Sequence, residues 1–178
     1  MQYRQKSFAQ SSAFKDATRV SHGGTLRQGR RKLKRPFDSK KPVHLILRSS
    51  RARGEWSFLR EKNGRRIKHL VHSLALKTGV KVYRFANSGN HLHLLVHAKS
   101  REEFQSYLRA LSGMVSRIVT GAKKGNPVGK FWDALAYSRV VQWGKDFVNV
   151  KYYLIRNELE GLGILFHSER PRKKPAPE

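Results

Sequence analysis

Hydrophobic positions are unevenly distributed along the chain. Over residues 1–41 they are scattered without period, and basic residues gather into Arg30-Arg31-Lys32-Leu33-Lys34-Arg35 ahead of Pro36. Such a run reads as an unfolded basic arm. From residue 42 a period sets in. Val43-His44-Leu45-Ile46-Leu47-Arg48 is short, apolar and bounded by Pro42 and a Ser-Arg loop, which predicts a first strand. Ile67, Leu70, Val71 and Leu74 then recur at helical spacing, with Lys68, His69 and His72 between them and Gly79 as the stop. Residues 80–85 alternate, Asn87-Ser88-Gly89-Asn90 carries turn chemistry, and residues 91–98 resume an extended pattern, so the pair predicts a hairpin. Ser100 and Glu103 form a capping box before Phe104, Leu108, Leu111, Val115 and Ile118, and Gly121 ends that helix. After a Lys-Gly-Pro loop, residues 131–142 are aromatic and β-branched enough for a fourth strand region. A last helix has Asp146 as its cap, a core face of Phe147, Val150 and Leu154, and Gly161 at its end.

The order β, α, β, β, α, β, α predicts an α+β fold: a ferredoxin-like antiparallel sheet, helices packed on one face, with the strand of residues 91–98 central. Three segments follow: a basic flexible arm over 1–41, a folded domain over 42–164, and a basic proline-rich tail over 165–178. In that tail Pro171, Pro175 and Pro177 forbid a regular helix.

Charge narrows the class of partner. Lys and Arg number 38 against 12 Asp and Glu, a net +26 with a pI near 11.2, so the chain repels itself and calls for a polyanion. The longest apolar run, around residues 43–47, is far shorter than a membrane span, which leaves nucleic acid ahead of an anionic membrane. The first residues lack the uninterrupted apolar stretch of a secretory signal, and with no cysteine the chain has no disulfide, thiolate metal site or cysteine nucleophile. A reducing cytoplasm, with association to a bacterial nucleoid, is the expected location. Duplex-reading motifs are missing: no zinc-finger cysteines, no heptad zipper, no helix-turn-helix.

Candidate chemistry lies in the hairpin and the last helix. His91 and His93 alternate onto one strand face about 6.6 Å apart along the backbone, close enough to bend toward one divalent cation; the same spacing also suits two ordinary polar residues on a half-exposed sheet. His97 shares their parity but lies about 13 Å beyond His93, too far to join the same ion, and reads as structural. Tyr153 and Asn157 stand one above the other at the margin of the Phe147, Val150, Leu154 stripe, whereas Tyr152 points about 100° away. Each alone is commonplace, as a core-edge aromatic and a helix-end amide.

Together, Asn90-His91-Leu92-His93-Leu94-Leu95-Val96 and Tyr153-Leu154-Ile155-Arg156-Asn157 resemble the HUH-superfamily single-tyrosine transposases, above all the branch associated with repetitive extragenic palindromes. That family pairs a His-hydrophobic-His strand with a later Tyr-x-x-x-Gln or Tyr-x-x-x-Asn helix, and the likeness spans roughly residues 42–164. The palindrome-associated relatives usually continue from the Asn with Pro, where this chain has Glu158, so the helix is free to run a further turn. The basic arm is also longer than the family leads one to expect. The resemblance implies that His91, His93 and Asn157 hold Mg²⁺ or Mn²⁺ and that Tyr153 is the nucleophile. It implies cleavage of single-stranded DNA with strand transfer, through a 5′-phosphotyrosine intermediate.

Single-stranded or hairpin DNA is the expected partner, in a monomer or a homodimer. Arg30, Arg31, Lys32, Arg51, Arg53, Lys130, Lys151 and Arg156 are the candidate DNA-binding cations, Lys151 and Arg156 also being placed to assist the tyrosine. Trp132, Tyr137 and Trp143 offer faces for bases, though aromatics in a strand region usually pack the core. The rival readings are a domesticated, non-catalytic nucleic-acid-binding protein of the same fold and a small ribosome-associated RNA binder.

Overall fold

A computed structural model describes residues 20–24, 33–123, 125–126 and 128–165. Its elements are β1 (Ser21–His22), β2 (Val43–Arg48), α1 (Glu61–Thr78), β3 (Lys81–Asn87), β4 (His91–His97), α2 (Arg101–Thr120), β5 (Tyr137–Val140) and α3 (Lys145–Gly161). The five strands form one antiparallel sheet in the order β1-β5-β2-β4-β3. Setting β1 aside, the remaining four follow the ferredoxin-like order, and the expected α+β architecture stands. β4 is an inner strand between β2 and β3; the middle position belongs to β2.

Local signals place most element ends. Ser100 Oγ accepts from the Glu103 amide at 3.1 Å while the Glu103 carboxylate reaches back to the Ser100 amide, closing the capping box of α2. Gly79 and Gly121 end α1 and α2 at φ of 72° and 70°, the left-handed region that a side chain disfavours.

The strands are two-faced. Val43, Leu45 and Leu47 of β2 and Leu92, Leu94 and Val96 of β4 share one face, sealed by Ile67, Leu70, Val71 and Leu74 of α1 and by Phe104, Tyr107, Leu111 and Val115 of α2. Burying each large aliphatic or aromatic side chain is worth about 1.5–3 kcal/mol, so most of the apolar driving force lies here. The opposite face carries a smaller cluster of Ala86, Leu95, Val141, Val150 and Leu154, against which Tyr83, Phe147 and Tyr153 pack. The expectation that the helices pack on one face therefore holds for α1 and α2 only. α3 covers the other face, where its Val150 and Leu154 pack against Ala86, Leu95 and Val141.

Four further expectations change. The arm is not wholly unfolded: Ser21 and His22 are buried and pair with Arg139 and Ser138 of β5. Farther along it, Phe37 stacks on Phe104 at 5.9 Å, and Arg35 Nη1 donates to the Ala136 carbonyl and Ser138 Oγ. The fourth strand region is shorter than expected, because residues 131–136 are a loop whose Phe131 and Trp132 plug the core. Asp146 is not the cap of α3; Gly144 holds that position, and Asp146 in the first turn receives two bonds from the Arg139 guanidinium, both 2.9 Å. Finally, β3 does not alternate throughout: a bulge between Val82 and Arg84 leaves Tyr83 unpaired. The bulge shifts parity, so Tyr83 meets Phe147 and Arg84 ion-pairs with Glu158, both residues of α3.

Candidate active site

The site is built on the α3 face by strand parity. On β4 His91 and His93 project toward α3, their rings stacked at 5.8 Å between centroids. In register with them on β2 stand Arg48, opposite His91, and Ile46, opposite His93. His44, diagonal to His93, extends the row: the two rings stack at 6.0 Å. Ala86 of β3 faces His93 from the other side, and its small side chain leaves room for α3.

α3 brings Tyr153 to this row. Its ring meets His93 at 5.7 Å and His44 at 5.9 Å, edge to face in both cases. Leu154, fully buried, anchors the helix one position on, while Tyr152 is turned outward and 68% exposed. One turn after Tyr153, Asn157 donates its amide N–H to the Tyr153 carbonyl at 2.6 Å, which leaves Oδ1 as the acceptor of that amide. The Asn157 main-chain carbonyl accepts from Ser88 Oγ in the β3–β4 turn at 3.0 Å. As expected without a proline after Asn157, the helix continues to Gly161. His91, His93, Tyr153 and Asn157 all line one open cleft of about 600 Å³. The last helix thus packs on the histidine face within a single chain.

Burial sets the state of the imidazoles. It lowers the His93 pKa to about 3, with His44 and His91 adding repulsion. It lowers His44 to about 4, the Arg139 charge adding to it and Asp146 opposing. His91 shifts down for the same reason, with Arg48 contributing. Neutral imidazoles are the form that binds metals. His93 Nδ1 is buried without a hydrogen-bond partner, and His91 Nδ1 lies 2.5 Å from Asn90 Oδ1, an outer contact of the kind that fixes the tautomer of a ligating histidine. Among the described residues no group of three His, Cys, Asp or Glu could hold a metal ion; two imidazoles and an amide oxygen are the donor set available. That mixed set fits a divalent cation that keeps water or phosphate oxygens as its remaining ligands.

The other expected residues are dispersed. Lys151 is exposed, 5.8 Å from the Phe147 ring, and Arg156 is exposed with its Nε 2.8 Å from Glu160 Oε1. Neither lines the cleft. Arg51 is exposed but turned onto its own chain, donating to the Val128 and Lys130 carbonyls at 2.9 Å and lying over Trp56. Arg53 and Lys130 are exposed. Arg30, Arg31 and Lys32 lie outside the described residues. Trp132 packs on the core and donates to the Ser112 carbonyl at 3.1 Å, whereas Trp143 is 49% exposed and Tyr137 lines the cleft. His97 contacts the Ser39 carbonyl at 2.8 Å, away from the row.

Sequence reasoning passed over His44, Arg48 and Asp133. The signal for the first two was the alternation of β2 itself, which places His44, Ile46 and Arg48 together, opposite the Val43, Leu45, Leu47 face. Asp133 left no local signal, since a loop from beyond α2 delivers it.

The fold and cleft define an α+β protein whose histidine strand and tyrosine helix face each other. The chain matches the family described as IS200-like transposase over residues 39–155, and it belongs to that family of HUH single-tyrosine transposases. The match contains both histidines and Tyr153 and ends before Asn157. Among solved structures it is similar to a REP-associated tyrosine transposase bound to a REP hairpin, at 13% identity and a TM-score of 0.57 over 73% of each chain. A candidate transposase from Deinococcus radiodurans R1 aligns at 16% identity and a TM-score of 0.43, over 72% of this chain and 98% of that one. No curated protein matches the sequence. No helix among the described residues is long and apolar enough to cross a membrane.

Proposed function

We propose that this transposase cleaves and rejoins single-stranded DNA, with Tyr153 as the nucleophile. The observation that carries the reading is the seating of Tyr153 edge-on against His93 in a cleft that also holds His91 and Asn157. In the reaction the Tyr153 phenolic oxygen bonds to the scissile phosphorus and the bond to the 3′ oxygen breaks. The phenolic proton is lost to solvent or a base and the leaving 3′ oxygen gains one, giving a 5′-phosphotyrosine and a free 3′-hydroxyl. The ester energy is retained, so the reverse attack by a 3′-hydroxyl rejoins strands without ATP. His91, His93 and Asn157 would hold Mg²⁺ or Mn²⁺, which when bound supplies Lewis-acid polarisation of the phosphate. The protein's own share is positional: the His44 and His93 rings fix the plane of Tyr153, and the Tyr153 carbonyl orients the Asn157 amide. The phenolic proton must leave as the oxygen–phosphorus bond forms, so the attack depends on help in losing it.

A hairpin or single strand is the substrate the open cleft and the +26 charge favour; the hairpin carried by the structural relative agrees. The chemistry belongs to residues 42–164, and the basic segments over 1–41 and 165–178, Arg30, Arg31 and Lys32 included, raise affinity for the DNA backbone. With exposed Arg53, Lys130, Lys151 and Arg156 they give binding a steep salt dependence. The test incubates the full chain with end-labelled hairpin DNA and Mn²⁺ and scores a denaturation-resistant adduct. Wild type should form one and Tyr153→Phe none; an adduct persisting in that variant removes the assignment. His91→Ala should abolish the adduct and keep DNA binding, while loss of both together would point to a structural role.

A further inference from the structure

Arg48 is the only Lys or Arg lining the cleft among the described residues. Register sets it there: it is the β2 partner of His91, on the same sheet face, at the strand end where the cleft opens. Its side chain is 60% exposed, and its Nε lies 3.3 Å from Asp133 Oδ2. Asp133 is itself held from three directions. Its Oδ1 accepts from both the backbone N–H and Oγ of Ser50 at 2.8 Å, and its own amide donates to the Arg48 carbonyl at 3.1 Å. An ion pair this exposed contributes little to the fold, so stability does not account for the elaborate fastening. Its geometric effect is specific. With the carboxylate on the Nε side, the terminal Nη groups, which carry four of its five N–H donors, remain for an incoming oxyanion.

The substrate calls for such a group: a phosphodiester brings a negative charge that concentrates on its non-bridging oxygens during displacement, and Arg48 is the cation that strand register sets beside His91. A planar, pre-aimed Arg fork matches two such oxygens better than a mobile ammonium does. We propose that Arg48 binds the scissile phosphate beside His91 and Tyr153, and that Asp133 is the positioning residue that aims it. This rests on the phosphotyrosine chemistry above and names the residue that recognises the reacting phosphate.

The test compares the full-length wild type with Arg48→Ala, Arg48→Lys, Asp133→Asn and the Arg48→Ala/Asp133→Asn double variant. Two readouts are taken on one labelled hairpin: the single-turnover rate of adduct formation with Mn²⁺, and DNA affinity as a function of salt. Arg48→Ala should slow the adduct about 10²-fold, the scale of losing one pre-organised donor to a developing oxyanion. It should also flatten the log–log salt dependence by about 0.7, one single-strand phosphate contact. Arg48→Lys should restore the slope but only part of the rate. Asp133→Asn should slow the reaction by a smaller factor with the slope unchanged, and add nothing to Arg48→Ala.

Wild-type rate and slope in Arg48→Ala would overturn the proposal. So would a rate loss in Arg48→Ala that tracks a lowered Tm while the slope stays fixed. An Asp133→Asn loss that is undiminished in the Arg48→Ala background would remove the positioning role. Should wild type bind but form no adduct, the nucleophile assignment fails on its own, and the slope comparison alone decides whether Arg48 holds a phosphate.

Discussion

The two faces of the sheet are made by the same strands and serve opposite ends. On the α1–α2 face, alternate residues of β2 and β4 are Val43, Leu45, Leu47, Leu92, Leu94 and Val96, all at 0–1% exposure. On the α3 face the intervening residues are His44, Ile46, Arg48, His91, His93 and Leu95, and the buried apolar cluster has five members. One face concentrates hydrophobic burial, while the other gives up part of it to hold imidazoles whose polar atoms are incompletely satisfied. His44 Nε2 and His93 Nδ1 are both buried without partners, an arrangement that costs stability and that a functional site retains. Apolar burial and the proposed chemistry are thus divided by strand parity, one residue apart in the chain.

The largest effect should come from crossing to the core face. Leu94→Ala removes a fully buried side chain in the middle of the histidine strand and should cost about 2–5 kcal/mol of stability, read by urea unfolding. Below its Tm, adduct formation per folded molecule should stay within about twofold of wild type. A tenfold fall in the folded protein would show that the two faces are not separable.

The core face was also the face legible in the sequence. The period of α2 and its capping box, the stops at Gly79 and Gly121, and the turn before His91 are local signals, and each is realised within a residue or two of its expected place. The His pair and Tyr153–Asn157 were legible as spacings, one on a strand and one on a helix. Which sheet face α3 covers was not, because an amphipathic stripe specifies an apolar partner without saying which one. The face of His44 could be read from the alternation of β2, but its stacking on His93 depends on inter-strand register, and the placement of Asp133 depends on loop closure over 83 residues to Ser50, both products of tertiary packing. β1 is two residues long, too short for any period to announce it.

The imidazole row gives a middle-sized effect with a definite sign. In the unfolded chain His44 and His93 titrate near 6.5; in the fold their values are about 4 and about 3. Above pH 6.5 neither affects stability. Below it the unfolded chain takes up protons that the fold refuses, so stability falls with pH, each imidazole contributing about 1.4 kcal/mol per pH unit until its folded pKa is reached. For metal-free protein in chelator, the slope of unfolding free energy against pH between 6 and 4.5 should be shallower in His44→Leu than in wild type, with His93 and His91 supplying what remains. An unchanged slope would mean that the His44 site takes up the proton without penalty. The same substitution removes one of the two rings flanking Tyr153, so it should also slow adduct formation at pH 7.5, where the titration plays no part.

The smallest effect is a pair of glycine substitutions whose outcomes should differ. Gly113 of α2 is exposed, and a Cβ there would meet nothing within 4 Å. Gly113→Ala should therefore stabilise by about 0.5–1 kcal/mol through helix propensity alone. Gly161, the last residue of α3, faces the β3–β4 turn. A Cβ there would lie 2.8 Å from Ser88 Cα and 2.9 Å from the Asn87 carbonyl oxygen, backbone atoms that cannot swing aside. The same turn leads into His91, and through Ser88 Oγ it holds the Asn157 carbonyl. The close approach therefore sets the depth at which Asn157 sits beside the histidines. Gly161→Ala should cancel the propensity gain, leave Tm level or lower, and weaken Mn²⁺ binding measured by calorimetry, because the helix end or the turn must give way. If Gly161→Ala instead raises Tm as Gly113→Ala does and binds Mn²⁺ like wild type, the helix end floats freely over the turn, and the placement of Asn157 must come from the Leu154 and Val150 contacts alone.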